Sequence, residues 1–157
     1  MILTCFRHRS GGARGQKTDS GQALVEAALV IPLLAFILVG VAELARVAYA
    51  AIEVSNAAKA GVQYGTQNGS TAADPTGIAN AAAGDAANLT GLTTTSSVSC
   101  ICSDGSASTC QPTDCANSHI ESILTVNTQA DFDPIFHVPG LPTTFTLRGQ
   151  AIQKCGQ

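Results

Sequence analysis

Two groups of residues in this chain could do chemistry, and they are of different kinds. The first is Gly21-Gln22-Ala23-Leu24-Val25-Glu26, an acid placed at the mouth of an apolar run that extends from Ala27 to Ala42. A carboxylate in hydrocarbon costs about 2.5–3.5 kcal/mol at mid-bilayer and less near the headgroups, so Glu26 needs a compensating partner or a reason to sit at the edge. The second group is Cys100-x-Cys102 and Cys110-x4-Cys115, flanking the turn-forming stretch Ser103-Asp-Gly-Ser-Ala-Ser-Thr109. Zinc sites usually use cysteine pairs two to four residues apart. The one-residue spacing and the lack of a neighbouring histidine knuckle favour disulfides over metal. Four cysteines allow three pairings, and spacing does not choose among them. Cys155 is then left unpaired or available to another chain. Neither a metal nor a cofactor is expected.

The other polar candidates read as structural. His119 and His137 are 18 positions apart and belong to no nucleophile constellation. Asp131 and Asp133 lack a third acid and read as solvated turn residues. Glu43 and Arg46, three apart, can pair on a helix surface. No nucleophile–base pair, phosphate loop or metal cluster is present, so the sequence does not read as an enzyme.

These residues must be positioned by a small protein. At 157 residues, with 12% charged and 4% aromatic residues and no Trp, the chain has room for one modest domain and an anchor. Charge is split: Arg7, Arg9, Arg14 and Lys17 face only Asp19 in the first 21 residues, whereas four basic residues face ten acids afterwards. By the positive-inside rule the basic end stays cytoplasmic and the rest lies outside. Four cations without interleaved aromatics make a poor nucleic-acid site, so no nucleic-acid partner is expected. Six cysteines favour an oxidising compartment; Cys5 falls in the basic leader.

Four segments are expected. Residues 1–21 are a polar, basic leader. Residues 22–42 form a transmembrane helix, since 21 residues rise about 30 Å, with Pro32 as a kink because proline removes a helix hydrogen bond. Residues 43–65 continue that helix beyond the membrane, with Leu44, Val47, Ala51, Val54 and Ala58 as a narrow apolar stripe and Glu43, Arg46, Glu53, Asn56 and Lys59 largely on other faces. Gly65, Asn68 and Gly69 end it. Residues 66–157 form a small domain. Asp74-Pro75 starts a short helix closing near Gly91. Strands follow over Val98–Cys102, Ile120–Ala130 and Thr143–Ile152, with a proline-rich loop, Asp131–Pro142, before the last. The fold class is α+β: a long N-terminal helix leading into a disulfide-stapled helix-plus-antiparallel-sheet domain.

The layout small residue, possible cut, four residues, glutamate, apolar helix resembles a type IV prepilin cleavage site. The longer pattern resembles the TadE-like minor pilin (pseudopilin) family of the Flp/Tad pilus assembly system. It is carried by Gly21-Gln22-Ala23-Leu24-Val25-Glu26-Ala27-Ala28-Leu29, Pro32-Leu33-Leu34, Gly40-Val41-Ala42-Glu43 and Ala57-Ala58-Lys59-Ala60-Gly61-Val62-Gln63-Tyr64-Gly65. A looser likeness covers Phe132-Asp133-Pro134, Leu141-Pro142 and Leu147-Arg148-Gly149-Gln150-Ala151. The resemblance implies a non-enzymatic subunit cut after Gly21 by a prepilin peptidase in an extended segment. It implies that Glu26 pairs with the new Gln22 amine of a neighbour and so fixes register. Tad major pilins usually place Tyr after the glutamate; Ala27 there implies a minor component. The implied partners are the peptidase, other pilin and pseudopilin subunits, the inner-membrane assembly platform and membrane lipid, in the bacterial cytoplasmic membrane. The alternatives are an uncleaved single-pass anchor for an extracytoplasmic binding domain, and a protein secreted by cleavage after Ala48-Tyr49-Ala50.

Overall fold

The computed structural model describes residues 19–111, 113–137, 140 and 142–155. The expectations for residues 1–18, Cys5 among them, and for Pro139 lie outside the described residues. The chain divides into two compact units, residues 1–40 and 41–157.

The first unit holds the apolar part of α1, a helix that runs Asp19–Gly65 with Pro32 inside it. Its large apolar side chains are exposed all round, Leu24, Leu29 and Phe36 among them. It is the one helix among the described residues long and apolar enough to cross a membrane.

The second unit is α+β. The end of α1 is followed by α2 (Gly69–Ala72), α3 (Pro75–Asp85), β1 (Thr93–Cys102), β2 (Ala107–Ser108), β3 (Ile120–Phe132) and β4 (Phe145–Lys154). The strands form one antiparallel sheet in the order β2-β1-β3-β4. Sequence cues explain the helix starts. The Asp74 side chain accepts from the Gly77 N–H with Pro75 at the first helical position, and Asn68 forms a capping box with Thr71 over the short α2.

One sheet face packs on helices, and β3 shows why. Leu124, Val126, Thr128, Ala130 and Phe132 alternate inward and are buried, as a strand period of two requires. Against them α1 places Val54, Gly61 and Val62, and α3 places Ile78, while Ala57 packs with Ala82 and Ala86 in a second cluster. Small helix residues let the backbones approach closely. Thr128 Oγ1 donates to the Val54 carbonyl at 2.7 Å, which uses a polar group in the middle of the packed face. A Cβ on Gly149 would stand 2.6 Å from that same carbonyl oxygen and 2.9 Å from Ser55 Cα.

Several expectations are corrected. The apolar stripe on α1 is buried only from Val54 onward, and Leu44 is exposed. Glu53, assigned to an outer face, is buried. Strand β1 begins at Thr93 rather than Val98: its Thr/Ser half has no apolar alternation to read, but it pairs with Thr125–Gln129. The turn Ser103–Thr109 contains β2, held to Cys100 and Ile101. Helix α3 stops at Asp85, and Leu89 and Leu92 fold back on Ala57, Ala82 and Ala86. Asp131 and Phe132 belong to β3 rather than to the loop.

The close approach makes a contrast. Gly149→Ala should destabilise the domain by about 1–3 kcal/mol, because the methyl group must displace backbone rather than side chain. Gly84→Ala, inside α3 with nothing within 4 Å of the added carbon, should stabilise by about 0.5–1 kcal/mol. Thermal unfolding of the detergent-solubilised full chain, followed by circular dichroism, checks both signs.

Candidate functional site

The residues singled out by sequence fall in two places. Gly21 and Gln22 lie in the first turns of α1, so the segment expected to be extended is helical. The physical reason is local: no glycine or proline follows Gly21 before Pro32, and Gln, Ala, Leu and Glu are good helix formers. Nothing lies within 4 Å of where a Gly21 Cβ would stand, and Gly21 and Gln22 are exposed. Glu26 is exposed as well, and among the described residues none pairs with it. Pro32 has no N–H, so the Ala28 carbonyl loses its helix donor. Ala48-Tyr49-Ala50 lies deep within α1, with Ala50 buried, and offers no extended cleavage segment.

At the start of the second unit, Arg46 Nη1 donates to Glu43 Oε2 at 2.9 Å, and the guanidinium Cζ lies 5.2 Å from the centroid of the Phe132 ring. Glu43 Oε1 also accepts from the Ile135 N–H at 2.7 Å. Partial desolvation pushes the Glu43 pKa up, but the Ile135 N–H and the Arg46 guanidinium outweigh it and hold the carboxyl below its usual range. The surface pair expected from sequence thus also ties the loop after β3 to the helix.

The second place is the cysteine-bearing hairpin. The disulfides are Cys100–Cys110 and Cys102–Cys115, with Cα separations of 5.2 and 5.6 Å. They interleave, so β1, β2 and the stretch to β3 are stapled together. Two aspartates complete the loop. Asp114 Oδ2 accepts from Ser108 Oγ, from both the N–H and the hydroxyl of Thr109, and from the Gln111 N–H. Asp104 accepts from the N–H and hydroxyl of Ser106 and from Ser118 Oγ. Cys155 is free and half-buried beside Ser122. His119 Nε2 stands 3.8 Å from Glu121, which also takes Lys154 at 2.5 Å. His137, Asp131 and Asp133 are exposed, and among the described residues no group of three His, Cys, Asp or Glu could hold a metal.

The feature that sequence reasoning missed is a cavity of about 670 Å³ lined by Arg46, Tyr49, Glu53, Asn88, Asp131 and Asp133, with apolar residues between them. Its signal was present but easily misread: Glu53 and Tyr49 are four apart on a helix, the spacing of a shared face.

Comparison with known proteins gives one match. Residues 21–63 match the family described as TadE-like protein. No curated protein and no solved structure matches. The match begins at Gly21 and takes in Gln22, Glu26 and Pro32. The matched stretch coincides with the helix that is long and apolar enough to cross a membrane.

The aspartates give a pH test. The Ser106 hydroxyl and N–H hold the Asp104 pKa below the usual carboxylate range, and the Thr109 hydroxyl and N–H do the same for Asp114. A folded-state pKa below the unfolded value means that the contribution is complete above the ordinary value, about 4, and is lost as pH falls through the lowered value. The Ser106 and Thr109 amide signals of the oxidised chain should therefore shift and lose exchange protection in that acid window, while Leu124 and Val126 stay protected. Asp114→Ala should produce the Thr109 change at neutral pH. Reduction of both disulfides should loosen the same loop; in the chain-entropy picture each bridge is worth about 3 kcal/mol. Amide NMR of the micelle-bound chain reads all three.

Proposed function

We propose that this chain is a minor pilin or pseudopilin that takes part in assembling a Flp/Tad-type pilus, without catalytic activity of its own. The observation that carries this reading is the TadE-like match over residues 21–63, opening at Gly21. In the proposal residues 1–21 are a cytoplasmic leader removed by a prepilin peptidase, residues 22–42 span the bacterial cytoplasmic membrane, residues 43–65 carry the helix outward, and residues 66–157 stand outside. The two disulfides support an oxidising location for the sheet domain.

The mechanism follows from charge in a poor solvent. An exposed glutamate on an otherwise apolar helix is costly in hydrocarbon until a cation meets it. Cleavage after Gly21 creates an α-amine on Gln22. Glu26 of one subunit pairs with that amine on a neighbour, which offsets the desolvation and fixes the axial offset between helices. The uncut chain has no amine there, so processing gates assembly. Pro32 gives a local irregularity that neighbouring helices cover. The Ala-rich helix surface suits close helix packing with other pilin and pseudopilin subunits, and the assembly platform and lipid supply the rest of the surroundings.

A second reading is an uncleaved single-pass anchor for an extracytoplasmic binding domain. One observation favours it: Gly21 and Gln22 are helical, so a peptidase must first unwind the start of α1.

Glu26→Gln and Glu26→Asp separate the two. In the pilin reading, Glu26→Gln removes the charge and abolishes co-assembly with the filament while processing and membrane insertion persist, and Glu26→Asp retains part of the function. The readout is recovery of the chain in sheared filaments relative to membranes. Full recovery of Glu26→Gln in filaments contradicts the pairing role.

A further inference from the structure

The cavity beside α1 holds an unusual group. Glu53 is only 8% exposed, although it is a carboxylate on a helix. Its Oε1 accepts from Asn88 Nδ2 at 2.9 Å. Its Oε2 is buried and has no hydrogen-bond partner among the described residues. Tyr49, one turn away, feels the carboxylate: interaction of its hydroxyl with Glu53, then the charge itself, pushes its pKa up. It does not close a hydrogen bond to Oε2. Burying a carboxylate oxygen without a donor is costly, and the natural remedy is a charged donor.

The surroundings say which kind. Glu53, Asp131 and Asp133 line the cavity, against the single cation Arg46. That guanidinium is already engaged by both oxygens of Glu43 and stacked on Phe132. The cavity is therefore acidic on balance and unsuited to an anion. A bare metal ion is disfavoured because no group of three ligating side chains is present among the described residues. The neighbouring surface points to protein: Leu44, Tyr49 and Ile52, on the same stretch of α1, are 57 to 71% exposed. Apolar area next to a buried, unsatisfied charge is the make-up of an interface hot spot.

We propose that this cavity is a docking pocket for a lysine or arginine side chain of a partner protein, whose cationic head meets the acidic lining formed by Glu53, Asp131 and Asp133 while its stem and flanking residues cover Tyr49 and Ile52. The pocket is separate from Gly21, Gln22 and Glu26, and the inference holds whether or not the chain is cut.

The test uses the full chain in detergent micelles with carboxyl-¹³C glutamate. The chain has few glutamates (Glu26, Glu43, Glu53 and Glu121), and Glu53→Gln identifies the Glu53 signal by its loss. The probes are N-acetyl-lysinamide and N-acetylnorleucinamide, which has the same side-chain carbons without the ammonium, at matched ionic strength. The proposal predicts a saturable shift of the Glu53 signal with the lysine compound and none with the norleucine compound. The apparent affinity, read on the Asn88 side-chain amide, should fall about tenfold or more in Glu53→Gln, since a hydrogen bond to a charged group is worth about 1.5–3 kcal/mol. Glu53→Asp, which keeps the charge, should retain part of the response. Equal response to both compounds, an unmoved Glu53, or a shift seen only with phosphatidylethanolamine in bilayer nanodiscs would overturn the proposal.

Discussion

The structure of the second unit depends on how closely the end of α1 lies on the sheet. The helix contributes Val54, Ala57, Ala58 and Gly61 rather than large side chains, so little apolar bulk lies between the two backbones. The cost of that choice is a thin core. Its compensation is a buried hydrogen bond from Thr128 to the helix backbone and a glycine, Gly149, where any side chain would strike the Val54 carbonyl.

A small core also accounts for the rest of the domain. Domains of this size bury a limited fraction of their surface and lean on covalent or polar staples. Here the staples gather at one end of the sheet. Interleaved disulfides close the hairpin, and Asp104 and Asp114 each collect several donors from the same loop. At the other end Glu43, Arg46, Phe132 and the Ile135 N–H link the helix to the loop after β3. Tyr64 and Asp74 make a further tie, the phenol donating to the carboxylate that caps α3.

Much of this was legible in the sequence. The apolar run and its length gave α1, the Asp-Pro pair gave the start of α3, the β-branched runs gave β3 and β4, and the cysteine spacing pointed to disulfides. What was not legible had specific causes. The Thr/Ser half of β1 is strand only because β3 lies beside it, which no local pattern encodes. The pairing of Cys100 with Cys110 and of Cys102 with Cys115 depends on the two-residue β2 bringing Ser108 opposite Cys100. Glu53 read as lying off the apolar stripe because of its helical spacing; the face it occupies is covered in part by Asn88, 35 positions away, which donates to it. The helical start of α1 at Gly21 and Gln22 ran against the expected extended segment, since ordinary helix formers follow them.

The functional account rests on one chemical event, the exposure of an amine at Gln22 for Glu26 to meet. The most direct measurement is the N-terminal mass of the membrane-extracted chain from cells with and without prepilin peptidase. The account predicts a mature chain beginning at Gln22 when the peptidase is present and the uncut chain when it is absent. An uncut N-terminus in both strains would contradict it and leave the reading of an uncleaved, anchored binding domain.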